Sequence, residues 1–234
     1  MEPTKHVVVV GATGLVGQEL IRRLHERAEV APIALVRRPG IVKALSDRVE
    51  EVIFDFNDPA AYAKLGAEIP CDVLLCAVGT TLKTAGSPEA FRKVDLEIPK
   101  ALAQALARRD PRPMFGLVSS IGAAKPRGLY LQTKADAEKA ILDSGLPYLI
   151  VRPSLLLGER DEFRLGERLM TMLLAKPYLA VARTFTPHWS PVWKYAPIEA
   201  AKVAEALVRV CVDEPPYEHG RVLSGLGLHH PILE

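Results

Sequence analysis

The sequence predicts an α/β fold: a doubly wound parallel sheet of Rossmann type with helices on both faces and a small C-terminal substrate-side extension. Three observations carry this. Apolar, β-branched segments of strand length alternate with longer segments of helical period over about the first 150 residues, as βαβ units around a parallel sheet do. The strand segments are nearly continuous in apolar residues, so both faces of the sheet are buried and helices must cover each. A glycine-rich turn, Gly11 to Gly17, falls directly between the first strand and the first helix.

The elements follow in order. His6–Val10 is an almost purely apolar strand, and Leu15–Arg27 repeats Leu15, Val16, Leu20, Ile21 and Leu24 at helical spacing. Further strands are expected at Pro32–Val36, Val52–Phe54, Asp72–Val78 and Met114–Ser119, separated by helices that include Pro88–Arg108 and Tyr130–Ser144. A sixth strand, Tyr148–Arg152, runs into Pro153. Beyond it the alternation breaks down. Phe163–Ala175 and Ile198–Val212 read as helices, Arg183–Tyr195 as a loop carrying Pro187, Trp189, Pro191 and Trp193, and Arg221–Leu228 as one more strand. Nothing in the composition marks a boundary. We therefore expect a single NAD(P)-binding Rossmann domain over 1–234, with 1–153 as nucleotide-binding core and 154–234 as a C-terminal region packed on it.

Composition bounds the function classes. The 234 residues are 49% apolar and 25% charged, the mixture of an ordinary globular chain. Thirty Lys and Arg against twenty-eight Asp and Glu leave +2, which argues for neither a nucleic acid nor a membrane surface as partner. Three cysteines do not make a disulfide framework, so a reducing, cytoplasmic home is expected. No apolar run approaches the roughly 18 residues of a membrane helix, and the run from Val7 is broken by Gly11, Gly14 and Gly17, as a structural segment rather than an address would be.

The glycine turn has a chemical reading. Gly11 allows a sharp turn, Gly14 removes a side chain where a pyrophosphate approaches the backbone, and Gly17 lets helix and strand pack closely. Exposed N–H groups at the helix start then face a negative ligand along the helix dipole. The spacing is GxxGxxG, a variant of the dinucleotide-binding fingerprint. The second strand ends in Arg37-Arg38-Pro39, and Arg37 lies twenty residues beyond Gly17 with no Asp or Glu between Ala31 and Ala44. A guanidinium there holds a ribose 2′-phosphate that a carboxylate would repel. NADPH is therefore expected over NADH. Asp55, at the end of the third strand, is placed for the adenine edge.

Tyr130-Leu131-Gln132-Thr133-Lys134 sets a phenol and an ammonium one helical turn apart on one face. Free tyrosine, with a pKa near 10, transfers protons poorly at neutral pH, and a nearby cation favours the phenolate. Ser119 and Ser120 end the fifth strand, where a hydroxyl can hold a substrate carbonyl oxygen; which of them faces the substrate depends on how the strand ends, and we take Ser120. Together they would let Tyr130 protonate a carbonyl as hydride arrives.

Glycine turn, strand-end serine pair and YxxxK, in that order, resemble the short-chain dehydrogenase/reductase superfamily. Within it, Asp72-Val73, Cys76-Ala77-Val78-Gly79-Thr80-Thr81, Ala85-Gly86, Phe91 with Val94-Asp95, Leu129-Tyr130-Leu131-Gln132, Arg152-Pro153 through Arg160 and Arg164-Leu165-Gly166-Glu167 are similar to the Tat-interacting-protein-like branch of the atypical members. The resemblance covers nearly the whole chain. It implies NADPH contacts from Thr13, Gly14, Leu15, Val16, Arg37, Arg38, Val78, Gly79, Tyr130 and Lys134, and from Leu156 and Arg164 on the nicotinamide side. Leu15 and Val16 are apolar where the branch often has polar residues, so their contacts would be through backbone. Many superfamily members support a proton relay with an Asn where Asp95 stands here; that relay is not supported, and Asp95 is expected to cap or pair locally.

The six histidines and the Cys71-x4-Cys76 pair lack metal-ligand spacing, and no metal is expected. His188, Trp189, Trp193 and Tyr195 fit a pocket wall, a hydrophobic plug or a subunit contact equally well. Two functions fit the residues: an NADPH-dependent reductase of a small carbonyl or quinone-like substrate, or an NADPH-sensing regulatory protein that reports cofactor occupancy to a protein partner. Epimerase or dehydratase chemistry on a nucleotide sugar fits less well, because only eighty-one residues follow Pro153.

Overall fold

The computed structural model describes residues 5–157, 196–214 and 220–229. Its strands are β1 (Lys5–Val10), β2 (Val30–Val36), β3 (Glu50–Ile53), β4 (Val73–Cys76), β5 (Met114–Val118), β6 (Tyr148–Arg152), β7 (Leu156–Leu157), β8 (Ile198–Glu199) and β9 (Arg221–Ser224). Seven of them form one sheet in the order β3-β2-β1-β4-β5-β6-β9, every neighbouring pair parallel. β7 and β8 form a separate parallel pair. The helices are α1 (Leu15–His25), α2 (Pro59–Ala67), the short α3 (Leu82–Ala85), α4 (Pro88–Arg92), α5 (Ile98–Leu106), α6 (Gly128–Asp143), α7 (Ala200–Val208) and the single turn α8 (Leu226–His229).

The valines of β1 explain why the sheet is covered twice. Val7 and Val9 enter one core with Leu20, Ile21 and Leu24 of α1 and Val203 and Leu207 of α7. Val8 and Val10 enter the other with Leu65 of α2, Leu102 and Leu106 of α5 and Ile141 of α6. Four successive valines are thus fully buried on alternating faces, which only a central strand between two helical layers allows. The doubly wound class is as the sequence predicts.

Most boundaries agree within a few residues, and the differences have local causes. The fourth strand stops at Cys76, although Ala77 N–H still donates to the Val10 carbonyl at 2.9 Å; the chain then opens into an extended turn over 77–80. The helix expected over Pro88–Arg108 is broken at Lys93–Glu97 by a wider turn, with the Ile98 N–H reaching the Lys93 carbonyl. Pro99 accounts for it: proline has no N–H to offer the carbonyl of Asp95, four residues back, and its ring crowds that carbonyl. The stretch read as one helix over Ile198–Val212 begins as β8 and ends in a second wide turn, Arg209–Asp213. α2 starts on a local signal, Asp58 accepting the Ala60 N–H at 2.9 Å ahead of Pro59. The helix expected over 163–175 and the loop bearing His188, Trp189, Trp193 and Tyr195 lie outside the described residues.

Candidate functional site

Strand order locates the site. The chain builds β1, β2 and β3 in one direction, then crosses back to lay β4, β5 and β6 on the other side of β1. The crevice beyond the carboxyl ends of β1 and β4 is the switch point, where open α/β sheets bind ligands. Register aligns those ends: Val10 pairs with Leu35 and Cys76, Cys76 with Leu117, and Val118 with Val151. Gly11, Arg37, Ala77, Ser119 and Pro153 therefore leave the sheet along one edge.

At the switch point two backbones almost touch. Gly11 has φ +82°, and a Cβ on it would lie 2.7 Å from both the Ala77 carbonyl carbon and the Val78 nitrogen. A Cβ on Gly17 would lie 2.0 Å from the Gly11 oxygen. Two of the three glycines thus serve close approach of β1, β4 and α1. Gly14 serves differently. It is the N-cap of α1, with extended backbone and no side chain to cap the helix, so the opening N–H groups keep their capacity for an outside acceptor. The turn is closed by Gly14 N–H to the Gly11 carbonyl at 2.9 Å and by Gln18 Nε2 to the Thr13 carbonyl at 3.1 Å. This uncapped start, with no side chain at Gly14, fits the pyrophosphate of a dinucleotide.

Arg37 and Arg38 are exposed at the end of β2, and neither has a carboxylate partner among the described residues. One carboxylate does reach the neighbourhood. Glu51 of β3 accepts the N–H groups of Gly40, Val42 (2.6 Å) and Lys43 (3.1 Å), fastening the loop that follows the arginines. The Gly40 N–H is the first cause holding the Glu51 carboxyl below its ordinary range. Inspection of 31–44 alone misses it, because it arrives from the next strand. Asp55 is exposed, its Oδ1 taken by Asn57 N and Nδ2 at 2.9 and 3.0 Å.

The catalytic candidates divide sharply by environment. Ser119 is buried, and its hydroxyl donates to Glu138 of α6, whose carboxylate also receives Arg152 Nε at 2.9 Å. Glu138 is the leading cause raising Arg152 still further above its ordinary range. Ser120, half-buried, makes only a 3.4 Å contact to the Ile121 carbonyl. Tyr130 is 38% exposed and stacks on Phe91 with ring centroids 5.7 Å apart. Lys134, one turn on, is buried and ion-paired with Asp95 at 2.7 Å. Asp95 lies in the wide turn that Pro99 enforces, and its Oδ2 accepts the Thr80 N–H at 2.8 Å. The pair faces the β4 turn: a Cβ on Gly79 would lie 3.4 Å from Asp95 Oδ1 and 3.6 Å from Lys134 Nζ. Asp95, expected to cap or pair locally, pairs instead across the fold, with Lys134 of α6 and the Thr80 N–H of the β4 turn. The Glu138–Arg152–Ser119 cluster was not anticipated; its one sequence signal is Glu138, four residues after Lys134 on the face that carries Ile141. Leu156 lies in β7, half-buried against the α1–α7 core. Arg164 lies outside the described residues.

Comparisons with known proteins show the family and the fold. The NAD(P)H-binding family NAD_binding_10 matches residues 11–176. The chain is 33% identical over 237 residues to "Protein FMP52, mitochondrial" of Coccidioides immitis, covering 93% of this chain and 92% of that one. It is 34% identical to the protein of the same name from Candida albicans, over 66% of this chain and 68% of the other. Among solved structures it resembles the UDP-Glc/GlcNAc 4-epimerase of Campylobacter jejuni, with TM-score 0.69 and 13% identity over 93% of this chain and 77% of that one. A UDP-glucuronic acid 4-epimerase from Bacillus cereus, in complex with UDP-glucuronic acid and NAD, gives TM-score 0.68 at 14% identity over 94% and 80%. Likeness at that identity shows the shared fold.

The relatives' names overturn the cytoplasmic expectation, since they point to mitochondria. Three cysteines, all free and buried here, do not distinguish one compartment from another. Among the described residues no helix is long and apolar enough to cross a membrane. With the family matching residues from the glycine turn onward across more than half its length, the chain belongs to the NAD(P)H-binding family NAD_binding_10.

Proposed function

We propose that the protein is an NADPH-dependent oxidoreductase that reduces a small carbonyl or quinone-like compound, of the Tat-interacting-protein-like branch of atypical short-chain dehydrogenases. Gly11, Thr13, Gly14, Leu15, Val16 and Gly17 receive the pyrophosphate, Leu15 and Val16 through backbone only; Arg37 and Arg38 hold the 2′-phosphate and Asp55 lies at the adenine end. Val78, Gly79 and Leu156 would border the nicotinamide side; for Arg164 the same role rests on the family resemblance alone. The observation that carries this reading is the approach of Lys134 to Gly79, which joins the cofactor turn of β4 to the helix bearing Tyr130. We infer one domain over 1–234, supported by β9 and α7, which return residues beyond 153 to the sheet.

Bound beside these residues, a reduced nicotinamide would supply the hydride. Tyr130 O–H gives its proton to the carbonyl oxygen as the carbon is reduced, and the resulting phenolate regains a proton from water, to which Tyr130 is open. Ser120 donates to the same oxygen and fixes its direction; Ser119, engaged by Glu138, braces the strand end instead. Lys134 donates to ribose hydroxyls and holds positive charge beside the phenol. The alternative, NADPH sensing without turnover, draws support from one observation: Asp95 neutralises the Lys134 cation that would otherwise assist Tyr130.

Titration with NADPH and NADH, followed by a carbonyl and quinone screen on wild type and Tyr130→Phe, separates the two. The reductase reading expects equal NADPH affinity in both proteins and a loss of about 10²–10⁴ in turnover for Tyr130→Phe. Tight NADPH binding with no turnover in wild type favours the sensor. Preference for NADH over NADPH would sink the role given to Arg37.

A further inference from the structure

We propose that Asp95 is a positioning residue, an internal counter-ion that fixes Lys134 as a stationary donor at the cofactor turn and removes it from any proton relay. The inference rests on the reading of Lys134 and Gly79 as parts of the cofactor site. A buried carboxylate is tolerated only when its oxygens are paired. Asp95, whose side chain is 0% exposed, sets Oδ1 2.7 Å from the Lys134 ammonium, an ion pair without hydrogen-bond alignment, while Oδ2 accepts the Thr80 N–H. One carboxylate therefore ties the β4 turn to α6 before any ligand arrives.

Two further facts give the tie a function. The pair sits within van der Waals reach of a Cβ built on Gly79, an exposed residue, so a ligand lying along that backbone would have the ammonium as a near neighbour. An ammonium has three donors, and Asp95 takes up one side of it and leaves the rest for hydroxyl acceptors. A carboxylate with no exposed atom and no described partner beyond Lys134 and Thr80 has nowhere to pass a proton on. The phenol of Tyr130, by contrast, is open to water. Lys134 here holds and Tyr130 exchanges, a division of labour that follows from an Asp rather than an Asn at position 95.

Asp95→Asn tests this without removing the Thr80 contact, because an amide oxygen still accepts that N–H while the counter-charge is lost. Two readouts are needed. Modification of Lys134 by an acetylating reagent, followed by peptide mass spectrometry, should rise about tenfold in Asp95→Asn once the ammonium is released. NADPH affinity should fall about tenfold in Asp95→Asn, and Asp95→Asn combined with Lys134→Met should bind no more weakly than Lys134→Met alone. Unchanged Lys134 labelling, or losses that multiply in the double variant, would overturn the proposal. If Asp95→Asn does not fold, the double variant, which removes both charges, still gives the affinity comparison with Lys134→Met. Failure of wild type to bind NADPH would instead strike the cofactor reading, and the labelling ratio would still decide whether Asp95 holds Lys134.

Discussion

At the scale of single residues, the glycine turn separates packing from ligand binding. An added methyl on Gly17 would strike the Gly11 carbonyl oxygen at 2.0 Å and the Ala12 Cα at 2.7 Å, all backbone that cannot swing aside. Gly17→Ala should cost about 1–3 kcal/mol of stability, typical of an overfilled site, seen as a lowered denaturant midpoint with unchanged slope. Gly14→Ala meets only the Gly11 oxygen at 3.3 Å, at φ −80°. It should leave the midpoint nearly intact and still abolish NADPH binding, because its methyl occupies the approach to the α1 N–H groups. A midpoint that falls equally in both would refute the distinction. These roles were legible in the sequence because a turn between strand and helix is a local matter, as is the spacing of Tyr130 and Lys134 on one helix. The partners were not legible. Asp95 meets Lys134, and Arg152 meets Glu138, only after separate helices and strands have packed, and no local pattern encodes such a meeting.

At the scale of elements, β3 does more than close the sheet. Its exposed edge carries Glu51, which gathers three backbone N–H groups of the loop after β2 and so sets where the arginine pair stands. The carboxyl is held below its ordinary range, so its stabilising contribution is complete above the unfolded carboxyl value and is lost as pH falls through the lower folded one. Acidification below about pH 4.3 should therefore loosen this loop in wild type, and Glu51→Gln should lose that part of the acid dependence; hydrogen exchange at Gly40, Val42 and Lys43 reports it directly. Acid sensitivity of exchange that persists in Glu51→Gln would rule Glu51 out as the cause. The wide turn before α5 was concealed for a related reason. Pro99 is visible in the sequence, but a proline inside an apolar helical pattern reads as a kink at an unspecified place, whereas its effect here falls on the one turn that must deliver Asp95 inward.

At the scale of the whole molecule, the three thiols report on integrity. All are buried; burial is the main cause raising Cys71 and Cys76 to about 12 and pushing Cys211 up as well. None is a ready nucleophile, so an alkylating reagent at neutral pH should modify no cysteine of the folded protein and all three in denaturant. NADPH at about 100 times its dissociation constant adds about 2.7 kcal/mol to the folded state, which should slow labelling under marginal conditions by about a hundredfold. Labelling indifferent to NADPH would mean that the thiols open locally rather than with the whole fold. The doubly wound sheet that buries them was the most legible feature of all, since its evidence is spread over every strand and survives an error in any one. Leu156 and Leu157 pair with Ile198 and Glu199, so the end of the chain that leaves β6 and the start of the chain that enters α7 are clasped together against the α1–α7 core. Chain closure is already met by that clasp and costs little more as the length between changes. The clasp is thus a buckle: it holds those two ends side by side whatever the number of residues between them.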